Sequence, residues 1–317
     1  MGSGGDEEDR TPDLGIANAA LSQLSYVPMQ IADFTRSPAI GAIDPRPGGL
    51  HCAVSAHERP AMQITPPFGY REIVPLQKTQ AVKLPSPGVV PEFCASTNAM
   101  PISFAEFRVI AHDYPIVFAS GDNGQTYAAV AVVGLANGEN LFVREGVWVP
   151  DMYVPAYVRR YPFCMARVTL EKKEQANRLI CVEKSYLAAD GEKLFDDKSE
   201  PLAKWQNIEK LLREYEADLE RTREMCAILG DYALLEPFTL QATETNGAPV
   251  NLSGMYRVKE DKLEHLNAAQ HKNLFKKGVT GRIYAHLLSL DNFGRLLARR
   301  GKGQPAKPAA APAAKKA

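Results

Sequence analysis

Between residues 202 and 229, Leu202, Trp205, Ile208, Leu212, Tyr215, Leu219, Cys226 and Leu229 recur at steps of three and four, the spacing that gathers side chains on one face of an α-helix. No other feature constrains the fold as tightly. Glu209 and Arg213 lie four apart on the same helix and add about 0.2–0.5 kcal/mol. Burial of the stripe must therefore supply most of its stability. A stripe of this width belongs against a sheet rather than in a coiled-coil seam. Ser199 predicts the N-cap, Pro201 the first turn and Gly230 the end of the helix or a position very near it.

The sheet is legible over residues 114–163, where apolar β-formers alternate with the turn signals Gly121-Asp122-Asn123-Gly124 and Asn137-Gly138. Strands are expected over 114–119 and 126–134, and 140–143 and 147–149 are expected to continue the meander. Val130 to Val133 run apolar without alternation, which predicts a strand covered on both faces. Residues 102–112 fit either a strand or a short helix. The proline-rich stretch around Pro85, Pro87, Pro91 and Pro101 reads as a loop wrapping the sheet. Pro155 starts a short helix over 156–160, and Pro162 forces an extended exit into a strand pair at 163–170 and 178–183.

Beyond the long helix, 238–242 and 250–258 predict a hairpin around Asn246-Gly247. Helices follow over 259–266, 268–277 and 282–290, with Asn267 as an N-cap and Gly278 as a stop. The fold class is α+β: an antiparallel, meander-rich sheet packed by the long amphipathic helix, with a helical C-terminal subdomain.

Three segments divide the 317 residues. Residues 1–61 offer no apolar period to bury and are expected to be disordered. Their acidic opening, running into Ile16-Ala17-Asn18-Ala19-Ala20-Leu21, resembles a transfer-RNA gene translated in the wrong frame, so synthesis is expected to begin at Met62. Residues 62–300 form one globular domain of about 240 residues, a size that buries a substantial core. Residues 301–317, rich in Ala, Pro and Lys, are expected to be a disordered tail.

Lys plus Arg equals Asp plus Glu at 37 each, so net charge names no partner. Cys52, Cys94, Cys164, Cys181 and Cys226 show no CxxC or metal-like spacing, which predicts reduced, buried thiols and no zinc site. The longest strongly apolar run, 127–135, is far shorter than the roughly 20 residues that a bilayer requires. No basic-then-apolar leader opens the chain, and a cytoplasmic location is the expectation. The glycines at 121, 124, 134 and 138 lack both GxxxxGK[ST] and GxGxxG spacing, so they read as turns, and no nucleotide or other cofactor is implied. The basic end with Arg295, Arg299, Arg300, Lys302 and Lys307 has no interleaved aromatics and reads as solvated rather than nucleic-acid-binding.

The most attractive ligand site combines Glu139, Trp148, Tyr153, Tyr157, Arg159 and Arg160, because aromatic faces and guanidinium forks recognise carboxylates, phosphates and aromatic ligands. The competing reading packs these aromatics at sheet-to-helix corners with their polar tips satisfied. Tyr284 and His286 form a second candidate pair, with His286 as a conceivable general base that lacks a partner at motif spacing. His112-Asp113 is too sparse for a two-histidine, one-carboxylate iron site.

Several blocks resemble one known family. Tyr114-Pro115-Ile116-Val117-Phe118, Gly138-Glu139-Asn140-Leu141-Phe142-Val143 and Tyr153-Val154-Pro155-Ala156-Tyr157-Val158-Arg159-Arg160-Tyr161-Pro162-Phe163 are similar to signature blocks of the SapC family, named for a surface-array-associated protein. Gly191-Glu192-Lys193-Leu194-Phe195, Leu252-Ser253-Gly254-Met255-Tyr256-Arg257-Val258 and Ile283-Tyr284-Ala285-His286-Leu287-Leu288-Ser289-Leu290 extend the likeness. It covers about residues 70–300. The resemblance implies a bacterial protein tied to surface-layer biology, and it carries over no catalytic residue. The function expected is a non-enzymatic accessory or binding protein in surface-component (S-layer) production or transport, with a protein partner or a small ligand. The alternative is an enzyme, or an enzyme's partner, acting on a small molecule or peptide through the Tyr/Arg-lined pocket.

Overall fold

A computed structural model of the protein describes residues 63–303, apart from residues 123, 167, 171–172, 175–177 and 244–248. The expectations for residues 1–61, for a start at Met62, for the Asn246-Gly247 turn and for the tail beyond residue 303 lie outside the described residues. The principal strands are β1 (Ile73–Pro75), β2 (Ala99–Pro101), β3 (Ile116–Ala119), β4 (Ala128–Val132), β5 (Val143–Arg144), β6 (Val147–Trp148), β7 (Phe163–Ala166), β8 (Leu179–Glu183), β9 (Leu235–Thr243) and β10 (Pro249–Val258). The α-helices are α1 (Phe107–Asp113), α2 (Ala156–Arg159), α3 (Ala203–Asp231), α4 (Asp261–Glu264), α5 (Ala268–Lys276), α6 (Val279–Ser289) and α7 (Asn292–Gly303). The last helix thus runs three residues into the segment read as tail.

The central sheet has the order β9-β10-β3-β4-β2, antiparallel throughout, and with the helices around it the fold is α+β. Every residue of β3 and β4 is buried. This accounts for the missing alternation at 130–133: α3 packs against β4, while α1 and α6 pack against its neighbour β3. A second sheet, β1-β8-β7, pairs the two strands expected at 163–170 and 178–183, with Cys164 opposite Cys181. Residues 102–112 resolve as helix, a short 3-10 turn at Phe104–Glu106 leading into α1.

Three sequence expectations need correction. Pro101 lies not in a loop wrapping the sheet but in β2, the edge strand paired with β4. Residues 140–149 do not continue the meander; β5 and β6 pair with each other as a separate ribbon. The chain leaves the central sheet at Gly134, where a Cβ would lie 2.1 Å from the Glu139 carbonyl oxygen. Only glycine lets the loop fold back that closely. Asn140 then fixes the exit by donating to the Cys94 carbonyl at 2.7 Å and accepting from the Phe142 amide at 2.9 Å.

Ser199 does not cap α3. It takes a left-handed φ of 66° in a turn closed on Asp196, and Pro201 stays extended, bridged to Phe195. The helix begins at Ala203 after Leu202, whose amide is bonded to the Leu194 carbonyl. Its 29 residues extend to Asp231, leaving Gly230 in the last turn.

Helix α3 joins two cores. Trp205 and Leu212 pack with Phe163, Val182 and Leu194 beside the second sheet, whereas Met225, Cys226 and Leu229 belong to the main core around β3 and β4. Asn267 caps α5 through a reciprocal box with Gln270, and Gly278 ends that helix at φ 69°. No helix among the described residues is long and apolar enough to cross a membrane.

Candidate functional site

The segment 153–163 is positioned by one carboxylate. Ser103-x-x-Glu106 forms a capping box at the turn before α1, and the buried Glu106 accepts from the Ser103 amide at 2.8 Å and hydroxyl at 2.7 Å. Its other oxygen accepts from the Ala156 amide at 2.6 Å and the Tyr153 hydroxyl at 3.1 Å. Glu106 therefore holds the first residue of α2 as well as its own turn. Nearby, the Asp113 carboxylate accepts from the Tyr153 amide at 3.1 Å. Burial, and next the Glu106 charge, push the Tyr153 phenol up to about 12. Its oxygen accepts from the exposed Arg159 at 2.8 Å, and that guanidinium lies 5.3 Å from the Tyr153 ring centre.

Arg160 points the opposite way, into the interior, and is 1 % exposed. Its guanidinium stacks over Tyr157 at 4.3 Å and Tyr215 at 4.8 Å, and pairs with Glu216 of α3 at 3.7 Å. Arg178 pairs with the same carboxylate. Tyr157 donates to the Phe68 carbonyl at 2.6 Å. Neighbouring arginines thus part company as helical geometry requires, about 100° apart: Arg159 at the surface, Arg160 in an aromatic cage.

Outside this cage, between the loop at 84–91, the 153–163 segment and α3, lies a half-open cleft of about 380 Å³. Its walls are largely apolar, with Val89, Val154, Val158, Ile208 and Leu211 prominent and Arg159 among the polar groups facing it. It can take an apolar side chain or a short aliphatic segment and can present one cation to an accompanying acceptor.

The other expected site residues lie elsewhere. Trp148 is buried and donates to the Tyr114 hydroxyl at 3.0 Å, which donates in turn to the Tyr153 carbonyl at 2.6 Å. Glu139 accepts from the Leu135 amide at 2.8 Å and pairs with Arg300 of α7 at 3.0 Å. Tyr284 is an exposed residue of α6, while His286 is wholly buried. The structure therefore brings together Tyr153 with Arg159 and Tyr157 with Arg160, links Trp148 to the former pair through Tyr114, and sets Glu139, Tyr284 and His286 apart.

His286 fills a gap in the central sheet. Strands β10 and β3 pair at Met255–Ala119 and Tyr256–Phe118, a register that two residues further on would oppose Val258 to Ile116. The imidazole stands between those two residues, Nε2 accepting from the Val258 amide at 3.0 Å and Nδ1 donating to the Ile116 carbonyl at 2.8 Å. Both nitrogens are used, and the ring must be neutral to use them this way. Burial lowers its pKa to about 4. The Ser289 hydroxyl accepts from the Ile116 amide at 2.8 Å, so α6 completes the edge that β10 leaves open.

The thiols of the described residues are similarly quiet, Cys52 lying outside them. Burial raises Cys164 to about 12, Cys181 to about 11 and Cys226 to about 12, and raises Cys94 as well, which keeps them protonated and poor nucleophiles. Among the described residues no cluster of His, Cys, Asp and Glu is arranged to hold a metal ion.

Sequence reasoning missed Glu106 and Glu216. Ser103-x-x-Glu106 carried a readable capping signal, whereas Glu216 had none, because a charge in a long helix reads as solvent-facing until its partners are known. No curated protein and no solved structure matches the chain. The sequence model of the SapC family matches residues 85–296, a span that contains the whole 153–163 segment and all of the cleft beside it except Leu84, and the chain belongs to the SapC family.

Proposed function

We propose that the protein is a non-enzymatic accessory or binding protein that acts inside the cell in production or transport of a surface-layer component, and that it takes an apolar segment of its partner into the cleft beside 153–163. The observation that carries this reading is the division of labour between Arg159 and Arg160. One guanidinium is exposed at the cleft, where it donates to the Val154 carbonyl and the Tyr153 hydroxyl, while the other is committed to the packing that shapes its wall. Protonated thiols and a neutral, doubly bonded His286 also favour binding over acid–base or nucleophilic chemistry.

The test uses the full chain as bait in its own cells under mild crosslinking. Val89 is 46 % exposed on the cleft wall, so Val89→Asp should leave stability within about 0.5 kcal/mol while removing the partner that the unaltered chain recovers. Recovery of the same partner by both chains, or of none by either, would sink the proposal.

A further inference from the structure

A second cleft, of about 440 Å³, lies between α7 and the β5–β6 ribbon. Three guanidinium groups face it, Arg144 from the ribbon and Arg295 and Arg299 from α7, spaced four residues apart on one helix face. Arg299 lies over the Phe142 ring, 4.3 Å from its centre, and donates to the Leu141 carbonyl at 3.4 Å. Arg295 donates to the His112 carbonyl at 2.9 Å. These bonds fix the two helix arginines without neutralising them. Among the described residues none of the three forms an ion pair, in contrast to Arg300, which is paired with Glu139.

Among the described residues the single carboxylate facing the cleft, Asp113, already accepts from the Tyr153 amide. Counting Arg144, Arg295 and Arg299 against Asp113, the cleft carries a net charge of two positive units with His112 neutral. Burial, and next the nearby Arg144, lower the pKa of Arg299, the mark of cations gathered where an anion would relieve them. Val149 and Met152 give the cleft an apolar side.

We propose that this cleft binds an organic phosphate, with Arg144, Arg295 and Arg299 around the phosphate and Val149 and Met152 against the organic part. Phosphate suits three planar forks better than a carboxylate does, because it offers three terminal oxygens and a charge of about −1.5 to −2. The site is separate from the cleft beside 153–163, and each can fail without the other.

Calorimetric titration of the full chain at fixed ionic strength with phenyl phosphate, inorganic phosphate and benzoate tests the assignment. Phenyl phosphate should bind about tenfold more tightly than benzoate, since additional charge-assisted bonds distinguish them, and more tightly than inorganic phosphate. The Arg144 side chain is exposed and makes no hydrogen bond or ion pair among the described residues, so Arg144→Gln should weaken phenyl phosphate at least about fivefold with unchanged thermal stability. Arg144→Gln combined with Arg295→Gln should weaken it further. Equal binding of phenyl phosphate and benzoate, or undiminished binding by the doubly substituted chain, would overturn the proposal.

Discussion

His286 shows how little a residue's chemistry predicts its role. On sequence it is a histidine in an apolar helix, a candidate base. In the structure its two nitrogens replace the ladder bonds that β10 and β3 fail to make with each other at Val258 and Ile116. Protonation would set an Nε2–H against the Val258 N–H, which is why the ring is held neutral, with a pKa near 4. The linkage has a definite sign. Above about pH 6.5 the ring is neutral folded or unfolded and contributes no pH dependence. As pH falls from about 6.5 towards 4, the unfolded chain gains a proton that the folded chain refuses, so stability drops by about 1.4 kcal/mol per pH unit. Urea unfolding across that range should show this slope in the natural chain and lose it in His286→Gln, whose amide can donate and accept in the same directions. Equal slopes in both proteins would refute the wedge.

At the scale of elements, the decisive joint is between the short helix α2 and the long helix α3. Arg160 follows α2 directly and meets Glu216 of α3 in a cage closed by Tyr157 and Tyr215. Burial of such a pair is not in itself stabilising, but removing one partner of a buried pair is costly. Arg160→Ala should therefore destabilise the protein by roughly 3 kcal/mol, seen as a lower urea midpoint. A variant within about 0.5 kcal/mol of the natural chain would mean that the aromatic packing alone makes the joint. The sequence revealed the helix, the short turn after Pro155 and the strands that follow, because each rests on local periodicity or on proline geometry. It did not reveal that Arg160 turns inward. Adjacent arginines look alike along a chain, and only the position of Glu216, on an element some fifty residues away, separates them.

At the scale of the molecule, α3 is a strut common to two cores, and each core contains one tryptophan: Trp205 in the smaller, Trp148 in the larger. A helix that loses one set of contacts exposes the stripe that holds the other, so the cores should unfold together. In Trp148→Phe and Trp205→Phe chains, the fluorescence of the remaining tryptophan and the helical circular dichroism should give coincident urea midpoints. Separate midpoints within either chain would show that the cores melt independently.

By itself the sequence determined the secondary structure that local forces specify: the long amphipathic helix, the buried β3–β4 pair, the capped C-terminal helices and the turn after Pro155. Burial periodicity and backbone chemistry are written into neighbouring residues and need no distant partner to be read. Tertiary structure decided what those forces leave open. It put the β5–β6 ribbon outside the central sheet, because only the close approach of Gly134 to Glu139 turns the chain aside. It also sent Arg160 inward and Arg159 outward, and gathered Arg144 with Arg295 and Arg299 across some 150 residues of chain. The charge and orientation of a side chain acquire meaning from partners remote in sequence, and those partners meet only when the chain has folded.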